Sequence, residues 1–238
     1  MRPKDRICVA LDVEDKATAS RFVNLLKKEV GIFKIGLQLF TKEGPGFVEE
    51  MAGSGAKVFL DLKLHDIPNT VLHAAKNFVR MGVFMFNIHA FGGRDMMKAT
   101  AESVAEEAHK LGVEKPVMLA VTVLTSLDDR MLKDELGVTR PMMDEVRWLA
   151  QLSKEAGADG VVASPKETRT IKIACGKDFI VLTPGIRPAG ASLGDQKRVT
   201  TPREAIEGGS DYIVIGRPII EAKDPVEAVK KIVAEMGH

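Results

Sequence analysis

Eight short apolar runs rich in β-branched residues, separated by helix-like spacers, leave this chain few ways to fold: residues 7–11, 31–37, 57–62, 84–88, 117–124, 160–163, 179–182 and 212–215. Their apolarity is nearly continuous rather than alternating, the mark of strands covered on both faces in a parallel sheet flanked by helices. Between them, Ala19, Phe22, Val23 and Leu26 follow the spacing of one buried helical stripe, and Val146, Leu149, Ala150 and Ser153 repeat it with one polar lapse. Ser164-Pro165, Thr201-Pro202 and Asp224-Pro225 each place a capping side chain before a proline, which predicts three helix starts. Pro68 is expected to open another. Strand then helix, repeated without a linker or composition break, predicts an α/β chain folded as a single (β/α)8 TIM barrel over residues 1–238, rather than a doubly wound open sheet.

The formal net charge of +1 and a pI near 7.8 give no long-range field to hold a polyanion. A nucleic-acid polymer or an anionic membrane is therefore not expected as a partner, while a small anion stays open. Cys8 and Cys175 lie far apart in a chain that starts without an apolar signal segment, which predicts free buried thiols and a cytoplasmic setting. No apolar stretch approaches the roughly 20 residues that span a bilayer. Two connections are long for a barrel, residues 125–140 after the fifth strand and 183–200 after the seventh. Both follow carboxyl ends of strands and are candidate lids. The helix-like stretch 128–136 could serve a lid or a subunit contact.

The densest polar cluster is Asp61-Leu-Lys63-Leu-His65-Asp66, at the end of the third run. Side chains two apart on a strand share a face, so Asp61 and Lys63 would both point into the barrel mouth, either as a functional pair or as a structural ion pair. Lys34 sits in an otherwise apolar run and needs a partner, which Asp61 can supply. Asp12 ends the first strand and is either a ligand contact or a cap for the helix beginning near residue 15. In Thr183-Pro-Gly-Ile-Arg187 and Gly216-Arg217, glycine and arginine follow the last two strands, where barrels often bind phosphate. Gly31 and Gly36 lack the Lys-Ser/Thr that would complete a phosphate loop. His65, His73, His89 and His109 show no metal-ligand spacing, so no metal site is expected. His89 would be a hydrogen-bonded core histidine or a mouth residue. Trp148 and the methionines read as packing.

The stretch Phe59-Leu-Asp-Leu-Lys-Leu-His-Asp-Ile-Pro-Asn-Thr70 resembles the signature of the orotidine 5'-phosphate decarboxylases. So do Ala10-Leu-Asp12, Lys34-Ile-Gly36, Leu124-Thr-Ser126, Thr183-Pro-Gly-Ile-Arg187, Asp195-Gln-Lys-Arg198 and Gly216-Arg217, in the expected order along nearly the whole chain. The Asp-x-Lys-x-x-Asp core is shared with sugar-phosphate decarboxylases and aldolases, whereas the His-Asp-Ile-Pro-Asn-Thr extension and the Gln-bearing seventh loop are more specific. The resemblance implies conversion of orotidine 5'-monophosphate to uridine 5'-monophosphate and CO2 without a cofactor, in UMP synthesis. It implies that Lys63 donates the proton at C6, that Asp61 lies beside the departing carboxylate, and that Lys34 completes a charged array. Asp66 and Thr70 would reach the neighbouring subunit's site in a homodimer, and Ile67 would contact the substrate. Asp12 and Lys34 would hold the ribose, Thr125 or Ser126 the pyrimidine, and Arg187, Gln196, Gly216 and Arg217 the phosphate. The rivals are a Mg²⁺-dependent sugar-phosphate enzyme on the same barrel and a non-catalytic nucleotide-binding barrel.

Overall fold

Parallel strands that are apolar on both faces need helices on one side and a filled interior on the other. The computed structural model, which describes residues 1–188 and 200–237, meets that need by closing the sheet on itself. The strands are β1 (Ile7–Ala10), β2 (Ile32–Gly36), β3 (Val58–Leu64), β4 (Met85–His89), β5 (Val117–Val121), β6 (Gly160–Val162), β7 (Ile180–Thr183) and β8 (Tyr212–Ile215). Each pairs in parallel with its sequence neighbours, and β8 closes on β1 with Ile7 opposite Ile213. The helices are α1 (Lys16–Leu26), α2 (Leu37–Gly53), α3 (Pro68–Arg80), α4 (Gly93–Leu111), α5 (Asp129–Asp134), α6 (Met142–Glu155), α7 (Thr168–Cys175), α8 (Pro202–Glu207), α9 (Arg217–Ile220) and α10 (Pro225–Glu235).

Alternate strand residues split into two cores. Cys8, Ile32, Phe59, Met85, Leu119 and Leu182 fill the barrel interior, while Val9, Phe33, Ile35, Leu60, Phe86 and Ile88 pack outward against the helices. Full burial of each such side chain contributes about 1.5–3 kcal/mol, so the barrel is a packed body and leaves room only at its ends. Both cysteines are buried and free, and no described helix is long and apolar enough to cross a membrane.

Local sequence explains most boundaries. The stripe of Ala19, Phe22, Val23 and Leu26 is the buried face of α1, and Val146, Leu149, Ala150 and Ser153 lie on the buried face of α6. Thr201 and Glu204 form a capping box at α8, and Asp224 caps α10. The expected start at Ser164-Pro165 is corrected: α7 begins three residues later, at Thr168, because a turn intervenes in which the Glu167 carboxylate accepts from the Ser164 amide at 2.9 Å. The connection 125–140 is not a plain loop. Asp128 accepts from the Met131 amide at 2.9 Å and Leu132 is buried, which anchors α5 there. Trp148 is not packing: it is exposed, two residues from Val146 and so turned away from the core, with the Arg140 guanidinium 4.4 Å from its ring centroid. The fifth apolar run outlasts β5, which ends at Val121 because β6 ends opposite it at Val162.

Candidate active site

At the carboxyl end of the barrel the inward-facing positions change from apolar to charged. Above Ile32, Phe59 and Met85 on their strands come Lys34, Asp61 and Asn87. The Lys34 ammonium is 3.0 Å from Asp12 Oδ1 and 3.5 Å from Asp61 Oδ2, and Lys63 Nζ is 2.6 Å from Asp61 Oδ1. Asp61 thus lies between two ammonium groups, as the sequence anticipated. Asp12 is bound to Lys34 and does not cap α1, because Asp15 fills that position by accepting from the Thr18 amide at 2.8 Å. Gly36 makes room for the array: a Cβ there would sit 2.9 Å from Lys34 Nζ.

Burial works against the two most enclosed charges of this group, Asp61 and Lys34. It would push the Asp61 carboxyl up, but the Lys34 and Lys63 ammoniums, together with hydrogen bonds from Lys63 and Asn87, outweigh it and hold the carboxyl below its ordinary range. Desolvation likewise disfavours a charged Lys34, yet Asp61 and Asp12 outweigh it and raise the ammonium above its usual value. Asp61 and Lys34 therefore favour each other's charged form at the centre of the array.

Lys63 does not continue the strand regularly. Its φ of 52° makes it the one non-glycine with positive φ among the described residues, and the β3–β4 register shifts between Leu60 and Leu64. Its amide donates to Asn87 Oδ1 at 2.8 Å, and Asn87 Nδ2 donates to Asp61 Oδ1 at 2.7 Å. Simple strand alternation therefore foretold the Asp61–Lys63 contact but not the backbone that makes it. Asn87, fully buried, was missed; the available signal was an amide side chain inside the apolar run of β4.

A pocket of about 200 Å³ lies above this floor, with Lys34, Asp61 and Lys63 on one side, Val121, Val162, Leu182 and Val214 on the other, and Thr125 and Pro184 among its remaining lining. One charged wall and one apolar wall suit a flat heterocycle that carries an anionic group. A larger cavity, about 360 Å³, opens at the opposite end of the barrel beside Met1, Lys27, Lys57 and Tyr212, away from the strand ends that carry the charged array. The convergence of ionised groups, not volume, marks the site.

Beyond the pocket, Gly185 adopts φ 79°, open to glycine without strain, in the segment that leads to Arg187. Arg187 is buried and its amide donates to the Thr200 carbonyl at 3.1 Å, tying together the two ends of the 183–200 connection. Gly216 precedes α9, whose first residue is the exposed Arg217. A Cβ on Gly216 would come within 3.3 Å of Ala10 Cβ, next to the strand end that carries Asp12. Gln196 and its neighbours Asp195, Lys197 and Arg198 lie outside the described residues.

Not every expected residue joins the pocket. Asp66, Ile67 and Thr70 are exposed at the start of α3, where Asp66 Oδ1 accepts from the Ile67 amide at 2.6 Å; none of them lines the pocket of their own chain. Thr125 lines it and Ser126 does not. His89 is not a hydrogen-bonded core residue: its buried Nδ1 has no partner among the described residues, and its ring stacks 5.3 Å from that of His65. Burial, then the nearby His65 and Lys63, push its pKa down to about 4.

Residues 5–232 match the model of the orotidine 5'-phosphate decarboxylase / HUMPS family. The orotidine 5'-phosphate decarboxylase of Moorella thermoacetica is 52% identical over 236 residues, covering 99% of this chain and 94% of that protein. The protein of the same description from Syntrophomonas wolfei is 50% identical, covering 99% of each. Among solved structures, orotidine 5'-phosphate decarboxylase from Lactobacillus acidophilus superposes with a TM-score of 0.86 at 38% identity, covering 98% of this chain and 99% of that one. With a match that spans nearly its whole length, this chain belongs to the orotidine 5'-phosphate decarboxylase / HUMPS family.

Proposed function

We infer that this chain is a carboxy-lyase that converts orotidine 5'-monophosphate to uridine 5'-monophosphate and CO2. Relatives about half identical over its full length carry that activity in their names. The observation that carries the reading is the Lys34–Asp61–Lys63 array at the floor of the mouth pocket, with contacts of 3.5 and 2.6 Å.

In the reaction, the C6–carboxylate bond breaks and its electron pair stays on C6 as CO2 departs. The Lys63 ammonium stabilises that charge and delivers the proton that forms the C6–H bond; neutral Lys63 then regains a proton from water. Asp61 sits beside the departing carboxylate, aims Lys63 through the 2.6 Å contact and is itself held in place by Lys34. Asp12 and Lys34 take the ribose hydroxyls, and Thr125 or Ser126 the pyrimidine. Arg187, Gly216, Arg217 and Gln196 take the phosphate, from the two loops where barrels commonly bind it. Phosphate binding far from the breaking bond can supply binding energy that raises turnover as well as affinity.

The carboxylates Asp12 and Asp61 already face ammonium groups, so Lys34 and Lys63 fill the positions that a divalent cation would take in the sugar-phosphate rival. The reading is tested by following the loss of orotidine monophosphate absorbance with purified protein in EDTA. Full turnover is expected; activity that appears only when Mg²⁺ is restored, and on a sugar phosphate, overturns it.

We further propose a cytoplasmic, single-domain homodimer with shared sites. Asp66, Ile67 and Thr70 are exposed on the chain taken alone, and Leu37, Ile67, Phe91 and Leu124 put exposed apolar side chains just after β2, β3, β4 and β5, around one side of the mouth. A second copy covering that side would carry Asp66 and Thr70, at the start of α3, into its partner's pocket. Mixing Lys63→Ala and Asp66→Ala subunits, each inactive alone, should then restore up to about one quarter of wild-type activity, because half the dimers are mixed and each has one intact site. No recovery after subunit exchange would refute sharing.

A further inference from the structure

Asn87, on the strand next to β3, is hydrogen-bonded to both Asp61 and Lys63. It is fully buried in β4, on the inward face it shares with Met85 and His89. Its one side chain serves both halves of the pair: Nδ2 donates to Asp61 Oδ1 at 2.7 Å, and Oδ1 accepts from the Lys63 backbone amide at 2.8 Å. The same Asp61 oxygen receives Lys63 Nζ at 2.6 Å. One carboxylate oxygen, one amide side chain and one lysine therefore close a ring of hydrogen bonds.

The ring has a conformational consequence. A lysine at φ 52° is in the left-handed region that L side chains with a Cβ seldom occupy, so the surrounding structure must hold it there. The β3–β4 ladder offers no such support here, since its register shifts between Leu60 and Leu64. What meets the Lys63 amide instead is Asn87 Oδ1. Without that bond a part-buried backbone donor would lose its partner, and the bulge would relax toward an ordinary strand.

We propose that Asn87 is a positioning residue for decarboxylation: by clamping the Asp61 carboxylate and the bulged Lys63 backbone together, it sets where the proton-donating ammonium stands. This rests on the function inferred above. The chemistry fits an amide uniquely well, because one planar group offers a donor and an acceptor in opposite directions. A carboxylate at this position would repel Asp61, and a hydroxyl would reach only one partner. Asn87 does not line the mouth pocket, so it can act on turnover with little direct effect on ligand contacts. It is neither the proton donor nor a phosphate ligand.

The test compares wild type with Asn87→Ala, and uses Ile88→Val as a packing control on the outward face of the same strand. In Asn87→Ala, kcat for orotidine monophosphate should fall on the order of 10²-fold, the cost of misplacing a reacting group by about 1 Å. KM and the Kd for uridine monophosphate should stay within about threefold, since binding contacts remain. The acid limb of the kcat profile should move to higher pH, because Asp61 loses a hydrogen bond that favours its ionised form. Ile88→Val should leave all three near wild type. If Asn87→Ala does not fold, Asn87→Ser is read by the same criteria.

A folded variant with kcat within about twofold of wild type overturns the proposal. So does a joint fall of kcat and uridine monophosphate affinity that tracks thermal stability in Asn87→Ala and Ile88→Val alike, which marks a merely structural role. A crystal structure of the variant decides the geometry independently of turnover. Lys63 leaving the left-handed region supports the clamp; an unchanged Lys63 backbone and Lys63–Asp61 contact overturns it. Wild-type inactivity toward orotidine monophosphate would instead sink the functional reading, and the crystallographic comparison would still decide the clamp.

Discussion

Lys63→Ala should lower kcat/KM for orotidine monophosphate by at least about 10⁴-fold, equivalent to roughly 5 kcal/mol of transition-state stabilisation. Two separate contributions are lost with one ammonium. A positioned proton donor is worth about 10²–10⁴ in rate, and a preorganised charge aimed at the developing carbanion adds about 10²–10³. No other described group can take over: Lys34 lies on the far side of Asp61 and is bound to both Asp12 and Asp61. The variant should fold normally, because Lys63 is part-exposed and its removal leaves Asp61 still bonded to Lys34 and Asn87. Affinity for uridine monophosphate should change little, since the ribose and phosphate contacts proposed above involve other residues. Steady-state kinetics beside product titration checks both halves, and a rate loss below about tenfold would remove Lys63 from the role of proton donor.

Asp61→Ala should be both inactive and markedly less stable. The substitution strips two ammonium groups of a shared partner, and breaking such a buried pair costs about 3–5 kcal/mol. The lower end applies here, because Lys63 can turn toward water and Lys34 keeps Asp12, itself more than half exposed. About 3 kcal/mol in a chain of this length lowers Tm by roughly 6–12 °C. The sign of the pH dependence follows from the direction of each shift. The Asp61 carboxyl is held below its unfolded value, so its contribution is present above about pH 4 and disappears as pH falls through the folded pKa. The Lys34 ammonium is held above its unfolded value, so its contribution is intact below about pH 10 and disappears as pH rises through its own folded pKa. The Tm gap between wild type and Asp61→Ala should therefore be widest between those limits and shrink on acidification. Equal Tm values at pH 7 would show that the array contributes nothing to stability.

The barrel was legible because its signal is local and repeated. Every strand predicted from an apolar run is present within a few residues, from β1 to β8. The buried stripe of α1 matches the periodicity residue for residue, since burial of one face is what the 3.6-residue repeat encodes. Misreadings occurred where tertiary neighbours overrode a local cue. Ser164-Pro165 has the chemistry of a helix start, but the Glu167 carboxylate binds the Ser164 amide and the helix waits until Thr168. Asp12 looks like a cap until Lys34, from the next strand, claims it. Trp148 belongs to a helix whose buried face is set by residues two positions away.

The sequence by itself determined the closed parallel barrel, the presence of Lys34, Asp61 and Lys63 at strand ends on its mouth, and the family motifs that run through nearly the whole chain. These follow from hydrophobic periodicity, strand parity and residue chemistry, which act over a few positions. Only the tertiary structure decided that Asp12 also binds Lys34, that Lys63 leaves the strand at φ 52°, and that Asn87 from β4 bonds both Asp61 and Lys63. Those facts depend on contacts between residues more than twenty positions apart. A chain lists such residues in order, but the closure of the barrel brings their side chains within hydrogen-bonding distance, where burial makes each unsatisfied charge or amide costly enough to select one arrangement.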